Sequence, residues 1–134
     1  MSIVDGTTIP LLEKVAAFGE RRSVALASNV ANIDTPNYKR RDLPVQEFEQ
    51  ALRDAIHVGA DRSSQISAGP AELSPELFKP REAGSPSLTF QDNSDRSIER
   101  EMMEMTKNLS MQSFAITLLT TQMGMLQAAI REQV

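Results

Sequence analysis

The sequence has no cysteine, which excludes disulfide scaffolds, thiolate zinc sites, iron–sulfur clusters and cysteine nucleophiles. Tryptophan is absent, tyrosine occurs once and aromatics reach only 4%, a poor supply for a β-sandwich core. A single histidine, His57, excludes a multi-histidine metal site. With 14 basic and 18 acidic residues the net charge is −4, which offers nucleic acid or anionic lipid no general attraction. Apolar runs such as Phe114-Ala115-Ile116 and Leu118-Leu119 are short beside the roughly 20 residues of a membrane span, so no transmembrane segment is expected. The opening Met1-Ser2-Ile3-Val4-Asp5 lacks the basic and apolar regions of a cleaved secretory signal, and none is expected. Gly-rich phosphate loops, GxSxG and HExxH are also missing, so the chain reads as a non-enzyme without cofactor or metal.

What the chain does have is helical apolar material. In 134 residues, about one domain's worth, hydrophobic residues are 40% and seven are methionine. Leu, Ile, Val, Ala and Met of this kind suit helix–helix seams, and an all-α fold is expected. From about Thr8 to Ile33, the residues Ile9, Leu11, Leu12, Val15, Phe18, Leu26, Val30 and Ile33 recur at helical spacing and predict an amphipathic helix. Thr7 or Thr8 can cap it, Pro10 suits its first turn, and Pro36 turns Thr35 away from the α region.

The stronger pattern lies at the other end. Steps of four and three from Ile98 give Met102, Met105, Leu109, Gln112, Ile116, Leu119, Met123, Leu126 and Ile130. Only Gln112 interrupts this seam, and a sustained 3.5-residue period predicts a long coiled-coil-like helix from about Asp95 to Arg131. Met103, Met111, Phe114, Leu118 and Met125 add apolar surface outside the seam, more than one partner helix covers. The N- and C-terminal helices are expected to pair as an antiparallel coiled coil around an irregular central region. Between them, Pro44 to His57 predicts a short amphipathic helix with Phe48, Leu52, Ala55 and Ile56 on one face and Gly59 as its stop. Four prolines (Pro70, Pro75, Pro80, Pro86) and two glycines (Gly69, Gly84) then mark loop, with Ser87-Leu88-Thr89-Phe90 as a brief strand. The expected divisions are 1–36, 37–58, 59–92 and 93–134.

The polar candidates read as structural. His57 is set aside as a general base because it falls at a predicted helix C-terminus beside loop. Glu99, Glu101 and Glu104 complement the helix dipole on a solvated face rather than hold a metal. Lys39-Arg40-Arg41 after Tyr38, flanked by Asp34 and Asp42, suits a solvated loop or ion pairing between subunits better than nucleic acid.

One string is more specific. Ser28-Asn29-Val30-Ala31-Asn32-Ile33-Asp34-Thr35-Pro36-Asn37-Tyr38-Lys39 is a helix ending in small and amide residues, then a proline turn, then a tyrosine with a basic exit. Asn29 and Asn32, three apart on one face, are placed to cap carbonyls or bridge to a neighbour. The string resembles the signature of the bacterial flagellar rod, hook and hook–filament junction proteins, roughly A-S/N-N-x-A-N-x-x-T-P-G-Y-K. Ser28 is an accepted variant there. Asn37 stands in place of the usual glycine, and asparagine is the side chain best tolerated at the positive φ that the glycine implies. The stretches Tyr38 to Leu43 and Ile98 to Met103 are similar to the short proximal-rod members.

The resemblance covers roughly 9–57 and 92–132. It implies a structural subunit of the proximal rod of the flagellar basal body, on the periplasmic side, exported by the flagellar type III apparatus without a cleaved signal. Its implied partners are further copies, other proximal-rod subunits, and the base adaptor and export-gate proteins. Phe48-Glu49-Gln50-Ala51-Leu52 fits the Phe-x-x-x-hydrophobic form of an export-gate motif, although any amphipathic helix supplies the same spacing through packing alone. The competing reading is a helical adaptor or export-chaperone-like binding module that uses the Met-rich helix as a client groove.

Overall fold

The computed structural model describes residues 8–61, 73–84 and 98–132. Helix α1 spans Ile9–Ala31 with Thr8 at its N-cap and proline in its first turn. It ends where Asn32 N–H reaches back to the Ser28 carbonyl at 3.1 Å. The chain then forms strand β1 (Arg41–Asp42), helix α2 (Val45–Asp61), a 3₁₀ turn (Pro75–Phe78), strand β2 (Arg81–Glu82) and helix α3 (Ile98–Glu132). At 1.5 Å per residue, the 35 residues of α3 extend roughly 52 Å.

The expected pairing of terminal helices is present, with α3 packed along α1. Asn29 meets Glu101, Gly19 meets Asn108 and Thr8 meets Gln122, so the two run antiparallel. The apolar core sits to one side of this pair. Phe18, Ala25, Leu43, Phe48, Leu73 and Leu77 are buried together, with Val15, Leu52, Phe78 and Met111 against them. The rings of Phe18 and Phe48 stack with centroids 3.9 Å apart, and Phe78 meets both edge-on at 6.1 and 5.9 Å. Strands β1 and β2 pair antiparallel, Arg41 opposite Glu82 and Asp42 opposite Arg81, closing the same side.

Two expectations about the centre need correction. Helix α2 continues through Gly59 to Asp61, because a glycine inside a helix costs only about 1 kcal/mol. Residues 73–84 are ordered: Leu73 and Leu77 enter the core, and Pro75, which marks loop by composition, opens the 3₁₀ turn. The expected strand at Ser87–Phe90 lies outside the described residues.

Candidate functional site

The signature string folds into a compact hinge between α1 and β1. Tyr38 N–H bonds to the Thr35 carbonyl at 3.2 Å, with Pro36 and Asn37 as the central residues and Asn37 at φ 60°. Proline followed by a positive φ is the type II pattern, and the left-handed value is the one the glycine position implied. Asn32 Nδ2 donates to the Ser28 carbonyl at 2.8 Å, and Thr35 Oγ1 reaches Asn32 Oδ1 at 3.4 Å. Lys39 is exposed.

Asn29 is the centre of this hinge. Its Nδ2 donates to the Arg41 carbonyl at 2.7 Å and to Glu101 Oε2 at 3.0 Å. Its Oδ1 accepts from Arg41 N–H and from the Tyr38 hydroxyl, both at 3.0 Å. Both donors and both lone pairs are therefore used. One buried amide joins α1, the chain after the turn, and α3.

Beside it lies a buried ion network that the sequence reading missed. Arg22 forks onto both oxygens of Asp42 at 2.9 and 3.0 Å and reaches Glu104 at 2.7 Å. Arg40 pairs with Glu101 and reaches Asp42 at 3.1 Å. Burial opposes the charge on both arginines, yet Asp42 with Glu104 and Glu101 with Asp42 outweigh it and raise both above the ordinary arginine value. The hydrogen bond from Arg22 is the main reason that the Glu104 carboxyl is held below the usual glutamate value.

These findings correct the reading of Arg40 as a solvated or intersubunit charge, and of Glu101 and Glu104 as a solvated face. A signal was available: Phe18, Arg22, Ala25 and Asn29 are all buried on α1 at steps of four, three and four, so Arg22 and Asn29 share the face of Phe18. His57 is exposed, and no metal-holding cluster occurs among the described residues.

Helix α3 shows two different sides to its surroundings. Against α1 it places Glu101, Asn108 and Ala115, all buried, then half-buried Gln122, one residue every seven. Asn108 is 1% exposed, and its Nδ2 donates to the Gly19 carbonyl at 2.7 Å and to Ser23 Oγ at 2.8 Å. The helices approach closely here: a Cβ on Gly19 would stand 3.2 Å from Gln112 Cβ.

The predicted seam divides between the two sides. Met105, Gln112, Leu119 and Leu126 are half-buried and flank the helix contact, whereas Ile98, Met102, Leu109, Ile116, Met123 and Ile130 are exposed, Leu109 by 54% and Ile116 by 50%. On the opposite flank Phe114, Leu118 and Met125 are exposed as well. The centre of the contact inside the chain is thus a polar and small row flanked by half-buried Met105, Leu119 and Leu126, and the remaining apolar rows face outward. Phe48 is buried at the centre of the core and Leu52 packs against it.

Hydropathy summed over α3 also corrects the run-length argument. No charged residue occurs between Lys107 and Arg131, and α3 is long and apolar enough, by length and composition, to cross a membrane. Its hydroxyls add little exposed polarity, since Thr106, Ser110, Thr117, Thr120 and Thr121 each donate to a carbonyl one turn back.

No family model matches the chain. The flagellar basal body rod protein FlgB of Cereibacter sphaeroides is 32% identical to it over 116 residues, 84% of each chain. Proteins of the same name from two further strains of that species match over the same length at 32% and 31%. Together with the signature hinge and the paired terminal helices, these relatives show that the chain belongs to the FlgB family of flagellar basal body rod proteins.

Proposed function

We propose that this structural rod protein is a subunit of the proximal part of the rod, and that it builds a helical assembly through the outward rows of α3. The observation that carries the reading is the row Met102, Leu109, Ile116, Met123 and Ile130, exposed on a helix already paired with α1. A heterologous contact that does not close on itself propagates as a filament. Several neighbours cover such a surface where one does not, which fits assembly with other rod subunits as well as with further copies. An uncharged helix with internally bonded hydroxyls is cheap to desolvate against protein and offers phosphate no cation between Lys107 and Arg131, so we assign α3 to subunit contact rather than to nucleic acid.

Export through the flagellar apparatus to the periplasmic rod, without a cleaved signal, belongs to the same proposal. Phe48 and Leu52 are packed in the folded chain, so they act as a gate signal only while the chain is unfolded. The test of assembly is Ile116→Asp against the parent chain, read by sedimentation over rising protein concentration and by swimming of a complemented strain. The parent is expected to grow into large species and the variant to stay small and non-motile at unchanged helix content. Unchanged growth of Ile116→Asp overturns the reading, and a parent that stops at a defined dimer favours the adaptor instead. Lipid vesicles that sediment the dilute parent would move α3 to a membrane role.

A further inference from the structure

At the centre of its contact with α1, between half-buried Met105, Leu119 and Leu126 on one side and Met111 on the other, α3 places a row that burial alone does not select. The rows Glu101-Asn108-Ala115-Gln122 and Met102-Leu109-Ile116-Met123 are offset by one residue, a rotation of about 100° about the helix axis. The hydrophobic effect favours turning the second row inward and releasing the first to water. The structure does the opposite, so something opposes that rotation.

The polar row supplies it as a ladder of directional contacts along α1. Glu101 bonds to Asn29 and Arg40; Asn108 bonds to the Gly19 carbonyl and to Ser23; Gln122 Nε2 donates to Thr8 Oγ1. Each rung has its partner on α1 or its N-cap in the observed rotation and register, and the directionality of a hydrogen bond ties it to that arrangement. Asn108 is informative because its Oδ1, like Gln122 Oε1, is buried with no hydrogen-bond partner among the described residues, a cost that an apolar residue avoids. A buried polar residue kept at such a cost is best attested where it fixes register in paired helices.

We infer that Glu101, Asn108 and Gln122 are positioning residues that lock the rotation of α3, holding its apolar row outward and available. This rests on the proposed reading of that row as the contact surface. Without the ladder, the chain satisfies its own apolar row against α1 and loses the face by which it assembles.

The absence of cysteine makes thiol labelling a clean readout. Two reporters are placed on the parent, Ile116→Cys on the outward row and Ala115→Cys on the buried one, where Ala115 is 2% exposed. Maleimide labels the first much faster than the second. In the triple variant Glu101→Ala, Asn108→Ala, Gln122→Ala, the ratio of the two rates is expected to fall roughly tenfold or more, as buried sites react only through opening or reorientation. Helix content stays, concentration-dependent growth is lost although no outward residue has changed, and restoring Asn108 alone recovers most of the ratio.

An unchanged ratio at unchanged helix content overturns the lock and leaves the close approach at Gly19 as what sets the rotation. If the triple variant loses helix content, Asn108→Ala alone decides: a lowered ratio supports the lock, and the parental ratio overturns it. The two readings fail separately. If Ile116→Asp assembles like the parent, the contact surface is wrong, while the labelling ratio still judges the lock.

Discussion

The hinge end and the far end of the α1–α3 pair are built on different principles. Around the hinge, α3 is held by ions and amides: Arg22 on Glu104, Arg40 on Glu101, Asn29 on Glu101 as well, with the stacked rings of Phe18 and Phe48 behind them. Beyond Ala115, the described contacts of α3 thin to half-buried Leu119, Gln122 and Leu126, while Phe114, Ile116, Met123, Met125 and Ile130 stay exposed. One end carries the stability of the single chain. The other leaves apolar surface exposed, the surface proposed above for contact with neighbours, and no charge between Lys107 and Arg131 opposes covering it.

The contrast is sharpest if the same chemical change is made at both ends. Phe48→Ala removes a ring that is 2% exposed from the core and is expected to cost about 3–5 kcal/mol, whereas Phe114→Ala, 67% exposed, should stay within about 0.5 kcal/mol. Urea unfolding of the dilute chain measures both, and equal losses would erase the distinction between the ends. Next in size is Arg40→Leu, which leaves the Glu101 carboxylate, 4% exposed, without its cation and should cost about 3 kcal/mol in the same measurement.

At the turn, Asn37 holds φ 60°. Asn37→Val should lose about 1–2 kcal/mol, since a β-branched residue is disfavoured there, while Asn37→Gly should be neutral or slightly stabilising.

A smaller effect follows from acid. The Glu104 carboxyl is held below its ordinary value of 4.5, first by the Arg22 hydrogen bond. Its stabilising contribution is therefore complete above that ordinary value and disappears as pH falls through the lowered one. Melting temperatures at pH 7 and pH 3 should differ less for Glu104→Gln than for the parent. The smallest change is expected for Arg53→Ala on α2. Its pair with Glu49 joins side chains 64% and 50% exposed, and such pairs contribute under about 0.5 kcal/mol.

Periodicity made the terminal helices legible because their apolar spacing is set by helix geometry, whatever lies opposite. The turn was legible for a similar local reason, a proline followed by a residue tolerant of positive φ. The ion network was not. Glu101 and Arg40 are 61 positions apart, and a charge counts as surface until its partner is known. The central segment is illegible for the same reason: Leu73 and Leu77 are a lone pair one turn apart among prolines and glycines, and only the groove beside Phe18 and Phe48 gives them a place to pack.

By itself the sequence determined that two amphipathic helices close the chain, that Pro36 and Asn37 redirect it, and that α3 carries a 3.5-residue apolar seam. Those are properties of backbone sterics and spacing, which act within a few residues. Which side of α3 turns inward was decided only in the tertiary structure. That choice depends on whether Glu101, Asn108 and Gln122 find donors and acceptors on α1, and hydrogen-bond directionality exists only once both helices are in place.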